Sequence, residues 1–289
     1  MNAADHRAGT VQSGDVSLFY RHFGTSGGTP MLIYHGANYY DSADWIGVAS
    51  ALATDREMVV WDTRGFGHSS WSASKDYSLD AQTGDAATIM DRLGWDKAVI
   101  GGHSMGGRHA IVFSSRFPER TLATVIIDHC PGRGGGRLSF EQSVGNEAKV
   151  FETVEDAYAV MSREPPTDEA GWQRVRDALN PVDGGFVFRR DPNFSNPVPI
   201  GIDGWASRYD ITDVWAELAR ITAPTLIIRG TLSDRYGEEE IARVHTEFPD
   251  IAWTEVVSGH DVAGAAPEAL IEVIRLFLTE RVDTADAAE

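Results

Sequence analysis

The sequence predicts an α/β fold in which a mostly parallel sheet is covered by helices on both faces. Short apolar runs, typical of buried strands, alternate along the chain with longer segments of helical periodicity. Polar, often glycine-containing turns follow several of these runs, and the carboxyl ends of parallel strands meet at one edge of a sheet. The strands are expected to be joined by right-handed crossovers.

The first half of the chain supplies most of the predicted sheet. The predicted strands are Val16–Phe23, which alternates apolar and polar residues, Met31–Tyr34, and residues 57–61, 98–101 and 122–128. The predicted helices are Leu79–Leu93, for which Gly94 is a typical C-cap, and residues 105–117, which Pro118 ends.

The last third of the chain again alternates predicted strands with predicted helices. Residues 225–229 and 252–257 read as strands, and residues 238–248 and 267–281 read as helices. The polar residues 283–289 read as a frayed tail.

Residues 131–222, between these two regions, lack the alternation of strands and helices. It opens with a glycine-rich run at 132–136, which predicts a hinge. Amphipathic helices are predicted near 154–163, near 168–179 and within 205–219, and residues 185–188 form a short strand or loop. A plain loop of this length is unusual. We therefore expect a core of residues 10–130 and 223–282 with an inserted helical cap at 131–222.

The composition is that of a globular protein, with 42% hydrophobic and 24% charged residues. The 25 Lys and Arg against 43 Asp and Glu give a net charge of -18. So acidic a surface repels nucleic-acid phosphates and anionic lipids, and it disfavours the steering of anionic substrates. A small-molecule substrate is the expected partner, with no nucleic acid and no membrane, and homo-oligomer formation is left open.

Several classes of cofactor and location are disfavoured by missing motifs. Cys130 is the only cysteine, so no internal disulfide and no cysteine-based zinc site can form. The sequence contains no Walker A motif, no H-E-x-x-H and no complete G-x-G-x-x-G, so a phosphate loop, a zinc-protease site and a dinucleotide site are disfavoured. A polar N-terminus without a following apolar run predicts a cytoplasmic protein.

One motif predicts a nucleophile. Gly102-His103-Ser104-Met105-Gly106 lies between a predicted strand and a predicted helix, which is the context of a G-x-S-x-G turn. A serine on so sharp a turn is strained and needs small neighbours, and the helix behind it directs N–H groups at developing negative charge. Ser104 is the candidate nucleophile.

A serine nucleophile needs a base, and the base needs a group that orients it. His260 follows the predicted strand at 252–257 and is the candidate base. Asp234 follows the strand at 225–229 and is the preferred acid, and Asp128, at the end of the strand at 122–128, is the alternative. The N–H groups of Ala37, after the strand Met31–Tyr34, and of Met105 are the candidate oxyanion hole.

These motifs resemble those of the α/β-hydrolase superfamily. The matching motifs, in chain order, are His35-Gly36, Asp62-x-Arg64-Gly65-x-Gly67-x-Ser69, Gly102 to Gly107, and Gly230 to Asp234 followed by Gly259-His260. The resemblance implies a mostly parallel eight-stranded sheet, a cap inserted after the sixth strand, and cofactor-free catalysis by Ser104, His260 and Asp234. For the motif at 62–69 we expect a structural role beside the oxyanion loop.

Departures from particular subfamilies narrow the expected reaction. Haloalkane dehalogenases and epoxide hydrolases have aspartate where this chain has Ser104, and ring-cleavage carbon–carbon hydrolases have an aromatic residue where it has Asp261. The His-Gly-Gly-Pro-Gly loop of proline iminopeptidases is also absent. Esterases and enol-lactonases remain the nearest resemblance.

Aromatic residues predict a mostly apolar substrate pocket. Two follow the oxyanion loop and three lie in the expected cap: Tyr39, Trp45, Phe186, Trp205 and Tyr209. The predicted function is a serine hydrolase that cleaves a carboxylic ester or lactone of a small, largely apolar molecule through an acyl-enzyme. The alternatives are carbon–carbon bond hydrolysis or another cofactor-free reaction on the same fold, or a ligand-binding receptor that retains the triad.

Overall fold

The computed structural model describes residues 6–24, 27–37, 41–132, 149–159, 166, 168–195, 197–200, 204–207 and 212–283. Within these residues, eight strands form the main sheet in the order β1-β2-β4-β3-β5-β6-β11-β12. They are β1 (Arg7–Ser13), β2 (Val16–Phe23), β3 (Met31–Tyr34), β4 (Met58–Trp61), β5 (Ala98–His103), β6 (Thr121–Ile127), β11 (Thr225–Gly230) and β12 (Ala252–Val256). β2 is antiparallel to both β1 and β4, and the other pairs are parallel. The predicted mostly parallel sheet is confirmed.

Helices cover both faces of this sheet. They are α1 (Ile46–Leu52), α2 (Leu79–Leu93), α3 (Met105–Arg116), α4 (Val154–Ala159), α5 (Glu169–Asp177), α6 (Val214–Leu218), α7 (Glu238–Glu247), α8 (Val262–Ala265) and α9 (Pro267–Leu278). On one face, α1 and α9 bury Val48 and Ile274 against Met31 and Val60. The opposite face is covered by α2 and α3, and by α7 near β11. Successive residues of the buried strands point to opposite faces, so both sides of the sheet are apolar.

The expected helical cap contains strands as well as helices, which corrects the prediction. Its described part holds α4, α5 and two β-hairpins, formed by β7 (Leu179–Val182) with β8 (Gly185–Phe188) and by β9 (Pro197–Ile200) with β10 (Gly204–Ser207). These strands are four residues long and two of them contain proline, so no alternation marks them in the sequence. Phe151, Val175 and Phe188 form a small core of their own.

The limits of the inserted segment also differ from the prediction. α6 falls inside the expected cap but packs against α3, where Val214 and Leu218 join the core of the sheet domain. The strand β1 begins at Arg7, before the expected start of the core. Residues 133–136 of the predicted hinge and residues 284–289 of the tail lie outside the described residues. Within the described ranges, no helix is both long and apolar enough to cross a bilayer.

Candidate active site

Ser104 lies on the sharp turn between β5 and α3. Its backbone has φ 54° and ψ -117°, which an L-residue adopts only under strain. A Cβ on Gly102 would approach the carbonyl oxygen of Gly106 to 2.0 Å, and one on Gly106 would approach that of Tyr34 to 2.4 Å. The two glycines therefore let the turn close and let the start of α3 pack directly on the end of β3.

The imidazole of His260 contacts the Ser104 hydroxyl. The distance from His260 Nε2 to Ser104 Oγ is 2.9 Å, and that from His260 Nδ1 to Asp128 Oδ2 is 2.6 Å. With the carboxylate as acceptor, Nδ1 carries the proton and Nε2 accepts from the serine hydroxyl. The loop after β12 thus brings the candidate base to the candidate nucleophile at the carboxyl edge of the sheet.

Asp128 occupies the position of the group that orients the base. Its side chain is fully buried, and its backbone has φ 45°. The Gly230 N–H donates to Oδ1 at 3.0 Å, and the Ser233 hydroxyl donates to Oδ2 at 2.5 Å. Burial alone would raise the pKa of Asp128, but the hydrogen bonds from His260, Ser233 and Gly230 hold that pKa below its usual value.

The preference for Asp234 over Asp128 is corrected by this geometry. The Asp234 side chain is 88% exposed, and its Oδ1 lies 3.6 Å from Nε of Arg235. Two residues shortly before Asp234 do contact the site. Gly230, at the end of β11, and Ser233, in the turn that follows, each donate a hydrogen bond to Asp128. Both aspartates follow strand ends on the same edge, so chain position alone did not separate them.

His103, which directly precedes the nucleophile, supports the base. Burial, together with the neighbouring His260, lowers the pKa of His103 to about 3, so its ring is neutral. Its Nε2 lies 2.7 Å from the carbonyl oxygen of His260, to which the N–H donates, and the two ring centres are 4.7 Å apart. The sequence analysis assigned His103 no role, although it stands inside the G-x-S-x-G motif.

The expected oxyanion loop begins at His35, directly after β3. The Thr63 N–H donates to His35 Nε2 at 3.0 Å, so Nδ1 carries the proton and donates to the Gly36 carbonyl at 2.6 Å. Burial lowers the pKa of His35, which favours this neutral form. Ala37 is half-buried, and the N–H of Met105 belongs to the first turn of α3, where N–H groups have no intrahelical acceptor.

The motif at 62–69 is a structural support, as its sequence suggested. Both carboxylate oxygens of Asp62 accept backbone N–H groups at 2.7 Å, from Ser42 and from His68. Arg64 forms a buried two-pronged pair with Asp85, in which both N–O distances are 2.7 Å. The Ser42 contact holds the turn after β3 to the loop after β4, and the Arg64–Asp85 pair holds that loop to α2.

The predicted pocket aromatics have different positions. Trp45 is 1% exposed and packs in the core with Val48, which corrects its assignment to the pocket surface, although its ring lies 6.3 Å from that of His103. Phe186 packs in the small core of the inserted segment. Tyr39, Tyr209 and the side chain of Trp205 lie outside the described residues.

An aromatic cluster that the sequence analysis did not single out adjoins the site. Phe66 and Phe194 stack edge to face with ring centres 4.7 Å apart, and Met105 packs against them. The ring of Phe66 also meets that of His35 at 5.1 Å. Phe66 is a variable position of the motif at 62–69, and Phe194 reaches the site only through the folded chain, so no local pattern marks the pair.

Comparison with known proteins identifies the family and agrees with the fold. A sequence model of the family described as alpha/beta hydrolase fold matches residues 29–261. The 2-(acetamidomethylene)succinate hydrolase of Mesorhizobium japonicum is 26% identical over 96% of this chain and 97% of its own length. An esterase of Mycobacterium tuberculosis is 25% identical over 94% of this chain and 89% of its own. A crystal structure of an E-2-(acetamidomethylene)succinate hydrolase superposes with a TM-score of 0.78 at 22% identity, and the match covers 95% of this chain and all of that one.

Proposed function

Because the chain belongs to the α/β-hydrolase family, we propose that it is a serine hydrolase that cleaves a carboxylic ester or lactone of a small, largely apolar molecule. The observation that carries the proposal is a pair of contacts made by His260. Its Nε2 lies 2.9 Å from Ser104 Oγ, and its Nδ1 lies 2.6 Å from Asp128 Oδ2. That arrangement turns a weakly nucleophilic hydroxyl into a nucleophile with an oriented base. The similarity to an esterase along most of the chain agrees with it.

The proposed reaction proceeds through an acyl-enzyme. Ser104 Oγ attacks the substrate carbonyl carbon while His260 Nε2 takes the hydroxyl proton. Buried, ionised Asp128 stabilises the resulting imidazolium. The C–O bond then breaks and the alcohol leaves with the proton from His260. A water molecule gives its proton to His260, attacks the acyl carbon and releases the acid, and Ser104 recovers its proton.

The negative oxygen of the tetrahedral intermediate is assigned to the N–H groups of Met105 and Ala37. The close packing of Gly106 on the backbone of Tyr34 and His35 supports this assignment, because it holds the start of α3 beside the loop after β3. Preorganised N–H donors at this point stabilise charge that appears only in the transition state.

Substitution of Ser104 tests the proposal directly. We expect Ser104→Ala to lower kcat for p-nitrophenyl acetate by about 10⁴–10⁶-fold with an unchanged melting temperature, because the nucleophile is lost and the fold is not. A fluorophosphonate should label the wild-type chain once, at Ser104. An active alanine variant, or labelling at a different residue, would contradict the mechanism.

A second candidate is hydrolysis of an amide that bears a carboxylate. The relative that matches almost the full chain is named for 2-(acetamidomethylene)succinate, a carboxylate with an acetamido group. In this chain the guanidinium carbon of Arg190 lies 5.2 Å from the ring centre of Phe66 and 5.0 Å from that of Phe194. This buried cation adjoins the cluster that packs against Met105, where it would add positive charge near a substrate carboxylate.

Two matched substrates separate the candidates. The ratio of kcat/KM for acetate release from 2-(acetamidomethylene)succinate to that from its uncharged dimethyl ester should exceed one in the wild type if the amide is cleaved and its carboxylates are recognised. It should fall at least tenfold in Arg190→Met. A kcat/KM ratio below one, unchanged by Arg190→Met, would favour the first candidate.

A further inference from the structure

Arg174, on α5 of the inserted segment, reaches across to the turn that follows the oxyanion loop. Its Nη2 donates to Asp41 Oδ1 and to Asp44 Oδ2, both at 2.9 Å, and its Nε donates to Asp44 Oδ1 at 3.1 Å. All three side chains are largely buried, with 21% of Arg174, 10% of Asp41 and 14% of Asp44 exposed. These are strong, charge-assisted contacts between two parts of the chain that lie far apart in sequence.

The turn that Arg174 binds is closed by the same two carboxylates. The Asp41 carboxylate accepts the N–H of Ala43 at 2.8 Å, and the Asp44 carboxylate accepts the N–H of Asp41 at 3.1 Å. The next N–H, that of Ser42, donates to Asp62 at 2.7 Å. The turn therefore places three carboxylates close together, and Arg174 is the cation that bridges two of them.

The described residues on either side of positions 38–40 are each anchored to other parts of the chain. Before these positions, His35 accepts the N–H of Thr63. After them, Asp41 is held through Arg174 and the capped turn. Ala37, whose N–H the proposed function assigns to the oxyanion, is only four residues from Asp41 along the chain, so a displacement of Asp41 bears on the position of Ala37.

We propose that Arg174 is a positioning residue for the oxyanion hole, which couples the docking of the inserted segment to catalysis. Without the guanidinium, Asp41 and Asp44 lose the shared donor that joins them to α5, and burial, which already raises the pKa of Asp41 to about 7, favours the neutral form of that carboxyl, so the turn loosens. The N–H of Ala37 then loses its preorganised direction. The inference rests on the proposed function, because it concerns the N–H groups that would hold the oxyanion.

The helix itself offers a matched control. Arg176 lies two residues further along α5, is more exposed, and pairs with Glu169 on the same helix. Arg176→Met removes a charge and a surface pair from the same helix without touching the turn. Arg174→Lys keeps the charge but lacks the planar fork that contacts both aspartates, so it is the conservative variant.

The test measures kcat and KM separately for p-nitrophenyl acetate, whose acyl group is too small to need the inserted segment. We expect Arg174→Met to lower kcat by about 10- to 100-fold with KM changed less than threefold, since the loss of an oxyanion donor costs about 10²–10³. Arg174→Lys should recover most of the loss, and Arg176→Met should match the wild type. The rate at which a fluorophosphonate labels Ser104 should fall in parallel with kcat.

A wild-type kcat in a folded Arg174→Met variant, or a change in KM alone, would overturn the inference and leave the proposed function standing. If Arg174→Met does not fold, Asp44→Asn takes its place, because it weakens the same contact from the other side, and a wild-type kcat and labelling rate in a folded Asp44→Asn variant overturn the inference. Absence of labelling at Ser104 in the wild type would overturn both.

Discussion

Asp128 receives hydrogen bonds from two separate loops, those after β12 and β11. Its carboxylate is buried, so replacing it leaves the His260 imidazolium without a nearby negative charge. The pKa of Asp128 is held low, so the group remains ionised well into the acid range. Loss of activity on mild acidification therefore cannot arise from protonation of this carboxylate.

A pair of substitutions distinguishes the two aspartates. Asp128→Asn should lower kcat by up to about 10⁴-fold with KM little changed, because an amide neither stabilises the imidazolium nor holds the correct tautomer. Asp234→Asn should keep at least half of the activity, since that side chain is 88% exposed. Both are measured at pH 8 with their melting temperatures. A dead, well-folded Asp234→Asn beside an active Asp128→Asn would reverse the assignment.

At the scale of single residues, the sequence predicts the serine and the histidine that the structure brings into contact, but it prefers the wrong aspartate as their third member. Ser104 and His260 have local signatures, a strained glycine turn and a Gly–His pair after a strand. The acid has none, because an aspartate after a strand end is common to positions 128 and 234. Only the donors that fold around Asp128, the N–H of Gly230 and the hydroxyl of Ser233, decide between them.

At the scale of elements, the long periodic segments are predicted almost to the residue. The helix α2 runs over Leu79–Leu93 as expected, and Gly94 ends it in the left-handed conformation with φ 73°. The elements that the sequence analysis missed are short or exposed. β1 lies at the sheet edge with mostly exposed side chains, and α1 has seven residues and no side-chain cap. Such elements are stabilised by tertiary packing, which no local pattern reports.

Two glycines in helices should respond oppositely to alanine. An added Cβ on Gly84, within α2, meets no described atom within 4 Å, so Gly84→Ala should stabilise the protein by about 0.5–1 kcal/mol and raise the melting temperature by about 1–3 °C. Gly106→Ala would press a Cβ against the backbone of Tyr34 at 2.4 Å. It should cost about 1–3 kcal/mol and most of the activity.

Thermal melts and esterase rates on both glycine variants check this expectation. The two changes share the same chemistry and differ only in the space around the added methyl group. A stable, fully active Gly106→Ala would show that α3 does not need to pack so closely on β3. A destabilised Gly84→Ala would show that α2 is constrained in a way the open space does not reveal.

At the scale of the whole molecule, the predicted sheet indicates the edge at which the candidate catalytic residues meet. The predicted inserted segment does not indicate which of its residues contact that site. Ser104, Asp128 and His260 follow β5, β6 and β12, and their meeting at one edge follows from parallel strands alone. The pairing of Arg174 with Asp41 joins residues 133 positions apart, and neither local sequence predicts it. The fold class is therefore readable from the sequence, whereas the contacts that tune the site are not.

The order in which the sheet is built bears on how the protein is made. His35, Ser104 and Asp128 all precede Gly132, whereas His260 lies in the loop after β12, on the far side of the inserted segment along the chain. A nascent chain that has reached Gly132 carries a serine without its proton acceptor, so under the proposed mechanism it is an ordinary alcohol. Reactivity arrives only when β11 pairs with β6 and β12 pairs with β11. The contact between Ser104 and His260 is therefore completed only after the inserted segment has been synthesised.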